Sequence, residues 1–171
     1  AKWDHAYGDI PTGWSFYAVD SAGYSIDKCV DGTATASSAY AGQPASYAFD
    51  DNEATYWQSS TDALPQWIKY DFGDAAWEIE KLRIYPLFTA GHACCNTFVL
   101  ESSNNNVDWD ELLSDTAADT DAWKEYTFLN DTAYRYIRLT VTSSHHPSGW
   151  SIFNEIEMMI TLTIIDWIIK D

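Results

Sequence analysis

Several stretches of this 171-residue chain alternate apolar and polar residues with a period of two, and the clearest are residues 68–72, 137–142 and 155–160. Successive side chains of a β-strand point to opposite faces, so this period predicts strands that bury one face. Clusters of Gly, Asn, Ser and Pro separate the stretches, and no long amphipathic helical pattern is present. The chain is therefore predicted to be an all-β protein, an antiparallel sandwich or barrel.

The charge of the chain restricts its partners. Asp and Glu number 26 against 9 Lys and Arg, which gives a formal net charge of −17. Such a surface repels phosphate backbones and anionic headgroups, so neither nucleic acid nor an anionic membrane is an expected partner. The same field attracts divalent cations, although solubility alone would also explain it. No apolar run is long enough to cross a bilayer, so no transmembrane segment is predicted.

The segment Ala45–Trp57 concentrates oxygen-bearing side chains in one short loop: Asp50, Asp51, Asn52, Glu53 and Thr55. Calcium takes six to eight oxygen ligands from carboxylates, amides, hydroxyls and backbone carbonyls. A tight acidic turn can direct several of these oxygens at one centre. The residues therefore indicate a cation site, and the alternative is a solvated acidic turn before a strand.

The three cysteines, Cys29, Cys94 and Cys95, leave at least one thiol outside any intrachain bridge. Structural zinc normally needs four N or S ligands in separated pairs, and His92-Ala-Cys-Cys95 has no second pair, so no zinc site is predicted. No third residue marks a Cys-His nucleophile either. Buried thiols, a vicinal disulfide and a bridge from Cys29 to the pair all remain open. No catalytic motif is present, but carboxylates are abundant, so counting residues leaves a glycosidase pair open and only the resemblance described next argues against an enzyme.

Six motifs in order resemble the discoidin domain, also called the coagulation factor 5/8 type C domain, whose close relatives include the family 32 carbohydrate-binding modules. They are Thr35–Ser38, Ala45–Trp57, Leu64–Gly73, Phe98–Trp109, Arg135–Thr142 and Glu155–Glu157. The resemblance covers roughly residues 30 to 160. It implies a jelly-roll β-sandwich of the galactose-binding-domain type.

The resemblance also implies a structural calcium ion, Ca²⁺, in the acidic loop. Carried over to this chain, its ligands would be the Phe49 carbonyl, Asp50, Asn52, Thr55 and Glu155. Glu157 is a rival for the closing ligand because strand alternation places it on the same face as Glu155. Relatives usually have Gly where this chain has Asp51, and Asp tolerates positive φ better than most residues.

In sugar-binding relatives, loops at one end of the sandwich hold the ligand: an aromatic ring stacks on the sugar while polar side chains bind its hydroxyls. The corresponding candidates here are Trp57, Gln58, Phe88, His92, Asn96, His145, His146 and Trp150. Many galactose-binding relatives have an arginine after the proline that corresponds to Pro86, and this chain has Leu87. That departure argues against galactose specificity.

Two flanks extend beyond the part of the chain that resembles the family. Residues 1–29 form an aromatic extension that is expected to pack on the sandwich of residues 30–160. Residues 161–171 form an apolar extension strand with Ile, Leu or Trp on both faces. Such a strand must be covered or paired along its edge, so a homo-oligomer or attachment to a larger surface assembly is predicted.

The predicted function is that of a non-catalytic extracellular module that binds a glycan or glycoprotein, as in adhesion, with a structural calcium site. The alternative is a structural or decoration subunit of a virion or surface filament that uses the sandwich for contacts with other proteins. Both place the protein outside the cell, at a cell surface or a virion surface. The apolar flanks favour the alternative, and an aromatic platform on the loops would favour glycan binding.

Overall fold

The computed structural model describes residues 27–161 of the chain. Within them the regular structure is almost all strand, with one 3-10 turn at Ala45–Ala48. The strands are β1 (Thr33–Ala36), β2 (Trp57–Gln58), β3 (Gln66–Asp71), β4 (Lys81–Pro86), β5 (Phe88–Thr89), β6 (His92–Ala93), β7 (Thr97–Ser103), β8 (Asp110–Thr116), β9 (Lys124–Thr127), β10 (Tyr136–Val141) and β11 (Ile152–Met159). The all-β prediction is confirmed.

Two antiparallel sheets form the sandwich. A five-stranded sheet has the order β1-β3-β10-β7-β8, and a four-stranded sheet has the order β2-β11-β4-β9. The short strands β5 and β6 pair separately as a hairpin. Buried side chains from both large sheets form one hydrophobic cluster. This arrangement is the antiparallel β-sandwich that the sequence predicts.

The period-two pattern positions the core as expected. In β3 every second residue is buried, with Ile68 and Tyr70 inside and Lys69 outside. Strand β10 repeats this arrangement in register with β3, and Leu139 lies opposite Ile68. Burial of these aliphatic and aromatic side chains is worth about 1.5–3 kcal/mol each. Alternation along single strands is therefore enough to define which face of the five-stranded sheet is internal.

Strand β11 departs from simple alternation. Seven of its eight residues are buried, including Asn154 and Glu155. Its pairing with β4 shifts register between Phe153 and Glu155. A β-bulge places two residues of one strand opposite one residue of its partner and redirects their side chains. The bulge therefore directs two neighbouring polar side chains of a core strand toward the acidic loop.

The connections between strands collect at two ends. One end, here called the loop end, consists of residues 37–43, 59–65, 87–96, 117–123 and 142–151. These segments meet there because Val141 pairs with Gln66 and Phe98, Thr97 pairs with Thr116, and Phe153 pairs with Pro86. The β7–β8 connection, residues 104–109, lies at the opposite end.

The predicted flanks lie largely outside the described residues, namely residues 1–26 and 162–171. The described part of the N-terminal flank contacts β11: the Met158 amide donates to Asp27 Oδ1 at 2.6 Å, and the Lys28 amide donates to the Met158 carbonyl at 2.8 Å. The Thr161 amide donates to Glu80 Oε2 at 3.1 Å. The domain boundaries, the oligomer and the virion or filament alternative remain predictions.

Candidate functional site

The acidic loop, residues 49–55, is folded around its own oxygens. Thr55 Oγ1 lies 2.9 Å from both carboxylate oxygens of Asp50 and 2.8 Å from the Asn52 carbonyl. The Ala54 amide donates to Asn52 Oδ1 at 3.1 Å. Side-chain bonds to nearby backbone groups of this kind stabilise tight turns. The loop therefore brings Asp50, Asn52 and Thr55 together without help from a distant element.

Glu155 closes the acidic loop from the core strand β11. Its Oε2 accepts a hydrogen bond from the Asn52 amide at 3.1 Å, across 103 positions of sequence. The side chain is almost fully buried, and burial raises its pKa to about 8, with further upward contributions from the charges of Asp50 and Asp51. A buried carboxylate beside other carboxylates is the environment that a divalent cation stabilises. The residues present therefore fit the predicted Ca²⁺.

Asp51 occupies the turn position where relatives usually have Gly. Its φ is +56°, in the left-handed region that favours glycine. Asp and Asn enter this region more readily than other residues with a side chain. The turn thus has the left-handed conformation that glycine favours, and Asp51 adds another carboxylate to the loop.

Asn154 belongs to the same site, and the sequence analysis missed it. Its Nδ2 donates to the Glu53 carbonyl at 2.9 Å and to the Thr55 carbonyl at 3.4 Å. A period-two pattern directs neighbouring residues to opposite faces, so it selects Glu155 and Glu157 together and passes over Asn154. Only the register shift in β11 brings Asn154 and Glu155 to one loop.

Glu157 is committed elsewhere, which corrects its assignment as a rival calcium ligand. Its carboxylate accepts a hydrogen bond from Arg83 Nη1 in an ion pair, and Arg83 also pairs with Glu125 Oε1 at 2.8 Å. The guanidinium already neutralises this carboxylate. Of the two glutamates, the structure brings only Glu155 to the acidic loop.

Within residues 27–161, no group of three or more His, Cys, Asp and Glu side chains is arranged to hold a metal ion. A cation in the acidic loop would therefore depend on amide, hydroxyl and backbone oxygens in addition to Asp50 and Glu155. Such mixed oxygen sets suit Ca²⁺ and do not suit zinc. The predicted combination of Phe49 carbonyl, Asn52 and Thr55 with two carboxylates is of this kind.

Trp57 is a core residue, which corrects its assignment as a ligand contact. It is 0% exposed, its ring stacks on Phe153 at 6.2 Å, and its Nε1 donates to the Ser38 carbonyl at 3.0 Å. Both the ring and its N–H are therefore already satisfied inside the sandwich. A buried tryptophan with no free edge leaves nothing for a sugar to contact.

The exposed aromatic pair at the loop end is Tyr40 and Trp150. Their rings are perpendicular with centroids 6.4 Å apart, and Tyr40 is 51% exposed while Trp150 is half-buried. The Tyr40 amide donates to the carbonyl of Gln58, so Gln58 lies next to the segment that carries Tyr40. Gln58 is half-buried. Tyr40 was not predicted, because in the sequence it is one of eleven tyrosines with no distinguishing neighbour.

The hairpin of β5 and β6 presents Phe88 and His92. Its central residues, Ala90 and Gly91, have φ of +53° and +84°, as the tightest hairpin turns require. Both Phe88 and His92 are half-buried. The hairpin thus places Phe88 and His92, both partly accessible, at the loop end.

Asp119 joins this hairpin to the neighbouring loops, and it was also missed. Its Oδ1 accepts the Ala93 amide at 2.7 Å, and its Oδ2 lies 2.9 Å from His92 Nδ1 and 4.0 Å from His145 Nδ1. The Ala93 amide first, and then His92, hold the pKa of Asp119 below its usual range. An ionised carboxylate therefore stands among the predicted histidines.

The remaining predicted ligand residues have defined positions at the loop end. His145 Nε2 lies 2.8 Å from the Ala117 carbonyl, so that edge of the imidazole faces the protein. His146 Nδ1 accepts a hydrogen bond from the Ser148 amide at 3.2 Å, and Nε2 takes no part in that bond. Asn96 is half-buried, and its backbone bonds to Ser143 and Ala117. All eight predicted residues except Trp57 therefore remain candidates.

The three cysteines are free and buried. Of the options left open by the sequence, the structure shows buried thiols. Burial raises the pKa of Cys94 to about 12 and raises that of Cys95 further. A thiol that holds its proton at neutral pH is a poor nucleophile and a poor metal ligand.

Comparison with known proteins agrees with this architecture. A sequence model of the F5/8 type C domain matches residues 33–156, which is most of the chain. A search of curated proteins returned no match. Among the described residues, no helix is long and apolar enough to span a membrane.

Solved structures with a similar fold include carbohydrate-binding modules, a non-catalytic kind of domain, some of which are attached to enzymes. The family 32 module of Clostridium perfringens NanJ, in complex with galactose, has a TM-score of 0.70 and 22% identity, covering 80% of this chain and 99% of that one. Another C. perfringens family 32 module, in complex with GalNAc-β-1,3-galactose, has a TM-score of 0.69 and 21% identity, covering 78% of this chain and 98% of that one. Chitosan-binding module 1 of a Paenibacillus sp. IK-5 chitosanase/glucanase has a TM-score of 0.65 and 26% identity, covering 77% of this chain and 97% of that one.

Proposed function

The chain belongs to the F5/8 type C domain family, and we propose that it is a non-catalytic, extracellular glycan-binding module. Its ligand binds at the loop end, and a structural Ca²⁺ occupies the acidic loop. The observation that carries the proposal is the Tyr40–Trp150 pair, an accessible aromatic surface beside hydrogen-bonding loops. The galactose, GalNAc-β-1,3-galactose and chitosan named for the similar modules support the glycan as the class of ligand.

The loop end offers the two kinds of contact that a sugar requires. The apolar face of a pyranose stacks on an aromatic ring, and Trp150 and Tyr40 supply such rings. The hydroxyl groups need fixed donors and acceptors, and His92, His146 and Gln58 supply them. Because few groups are involved, single-site affinity should be weak after the ordering of loops and ligand is subtracted.

The acidic loop has a different role in this proposal. A cation there would join residues 49–55 to β11 through Glu155, whose buried carboxylate already reaches the loop at 3.1 Å. The cation would neutralise carboxylates that otherwise repel one another. The site therefore stabilises the domain and does not contact the glycan.

The decisive experiment titrates a panel of soluble oligosaccharides into the full chain and follows tryptophan fluorescence and heat. Saturable binding is expected for the native chain, and Trp150→Ala should lower affinity at least tenfold, equal to about 1.4 kcal/mol. Trp109→Ala is the matched control, because Trp109 is also half-buried but lies in the β7–β8 connection at the opposite end, with Arg138 over its ring at 4.0 Å. Unchanged binding in Trp150→Ala, Tyr40→Ala and His92→Ala together would refute the proposed site.

A further inference from the structure

We propose that the glycan bound at the loop end carries protonated amines, as in a hexosamine polymer with free amino groups, and is not an acidic glycan. This inference rests on the proposed function and specifies its ligand class. The observation behind it is that carboxylates, imidazoles and aromatic rings meet at the loop end. None of the five loop-end segments contains Lys or Arg.

The charge at the loop end is one-sided. The five segments that form it contain no Lys and no Arg, but they contain Asp62, Asp119 and Asp121. Contacts join the segments into one surface: the Ala93 amide bonds to Asp119, the His146 amide bonds to the Ala93 carbonyl, and the Asp62 carbonyl blocks any side chain on Gly149. The segments that carry Asp62 and Asp119 therefore border the same surface as the segment of Trp150.

The nearest base in sequence is buried and bonded to the backbone of the loop end. Lys124 follows the segment 117–123 and is 7% exposed, and its ammonium donates to the carbonyls of Thr120 at 2.5 Å and Ala122 at 2.6 Å. Its charge offsets part of the field of Asp119 and Asp121. Two of its three donors are nevertheless bonded to the backbone and the side chain is buried, so it is poorly placed to pair with a ligand carboxylate.

Asp119 supplies the exposed negative charge. Its side chain is 33% exposed although both oxygens accept a hydrogen bond from the hairpin. Each carboxylate oxygen has a second lone pair, so the group can accept a further donor from a ligand. An ammonium is a strong donor for such an oxygen, because the bond is assisted by both charges.

The aromatic rings and the whole-protein field act in the same direction. A cation over a Trp or Tyr face is attracted by the ring quadrupole, and Trp150 and Tyr40 provide these faces. The net charge of −17 raises the local concentration of cationic ligands. A uronate or sulfate would meet the same field as repulsion and would find no arginine to pair with.

The test compares three oligosaccharides of equal length on the full chain: glucosamine oligomers with free amines, their fully N-acetylated counterparts, and galacturonate oligomers. Calorimetry at low and high salt should give at least tenfold tighter binding of the amine oligomer at low salt, a difference that salt reduces. The galacturonate oligomer should bind most weakly. Asp119→Asn should lower the affinity for the amine oligomer by a larger factor than the affinity for the N-acetylated oligomer, and so remove most of the amine preference.

Asp131→Asn is the matched control, because the substitution removes the same charge. Asp131 is exposed and lies in the 128–135 connection, away from the loop end. An equal loss in both variants would overturn a local role for Asp119. Equal affinity for the amine and N-acetylated oligomers, or preference for galacturonate, would overturn the inference while the glycan-binding function stands. Binding of no oligosaccharide in this or the wider panel would overturn both.

Discussion

The acidic loop and the loop end contrast in how they are built. The acidic loop takes most of its oxygens from seven consecutive residues and needs only β11 from elsewhere. The loop end is assembled from five segments that lie up to about a hundred residues apart in sequence and meet only because the strands pair as they do. A contiguous site can be recognised from the residue types it contains, whereas a composite site becomes visible only when the topology is known.

The two regions also differ in how they relate to the core. Glu155 and Asn154 bring the acidic loop onto a buried strand, so a change there is transmitted to the sandwich. Tyr40 is exposed and Trp150 and His92 are half-buried at the loop end, outside the hydrophobic core, so their loss should leave the core intact. We therefore expect stability to respond to the first region and binding to respond to the second.

The largest expected effect is at Trp57, which lies two residues after the acidic loop and inside the core. Trp57→Ala should destabilise the domain by about 3–5 kcal/mol, because it removes a fully buried ring and leaves a cavity. Trp150→Ala should change stability by less than about 1 kcal/mol. Urea unfolding followed by circular dichroism gives both values, and similar losses would contradict the assignment of Trp57 to the core.

Removal of calcium should have the next largest effect. At a free concentration of 100 times Kd, a ligand that binds only the folded state adds about 2.7 kcal/mol. A chelator should therefore lower Tm by several degrees, and Asp50→Asn should make Tm insensitive to the chelator. His92→Ala at the loop end should keep the full calcium response. A native chain whose melting curve is the same with chelator and with calcium would exclude the site.

A smaller effect is expected at Asp27, near the point where the N-terminal flank joins β11. Burial raises the pKa of Asp27 from its ordinary 3.8 to about 6, because the cost of burying the carboxylate outweighs the hydrogen bonds from the Met158 and Cys29 amides, which lower the pKa. The folded state thus prefers the protonated acid, so this contribution to stability is complete below about pH 3.8 and is lost as the pH rises through 6. Asp27→Asn should add about 1–2 kcal/mol at pH 7 and little at pH 4. A destabilised variant at pH 7 would show that the charge itself is needed.

The smallest effect should come from Trp123, whose Nε1 donates to Glu53 Oε1 at 2.9 Å while its ring stacks on Tyr85. Trp123→Phe removes that one bond from the acidic loop, which should cost about 0.5–1.5 kcal/mol and weaken calcium binding slightly. Trp123 is the last residue of the loop-end segment 117–123, but its N–H bonds to Glu53 and its ring packs on Tyr85, so the glycan affinity should change less than the calcium affinity. If the glycan affinity falls by more instead, the two regions are coupled and their separation is wrong.

Cysteine and charge illustrate how far the sequence could be interpreted. The sequence permitted several bridges among three cysteines, and only the structure shows that Cys29, Cys94 and Cys95 are free and buried. The excess of acidic residues predicts, without any structure, that polyanions are not the partners. Composition acts on the whole molecule through its field, whereas thiol pairing depends on the distance between two particular atoms.

The sequence by itself determined the all-β class, the inward faces of β3 and β10, and the acidic loop, because each depends on neighbouring residues and a local period. Tertiary structure alone decided that Trp57 is buried while Tyr40 is exposed, that Glu155 and not Glu157 reaches the loop, and that Asp119 lies beside His92. Those outcomes depend on strand order and on one register shift in β11. A strand pattern specifies which side of a sheet a residue faces, but long-range pairing determines which residues become its neighbours.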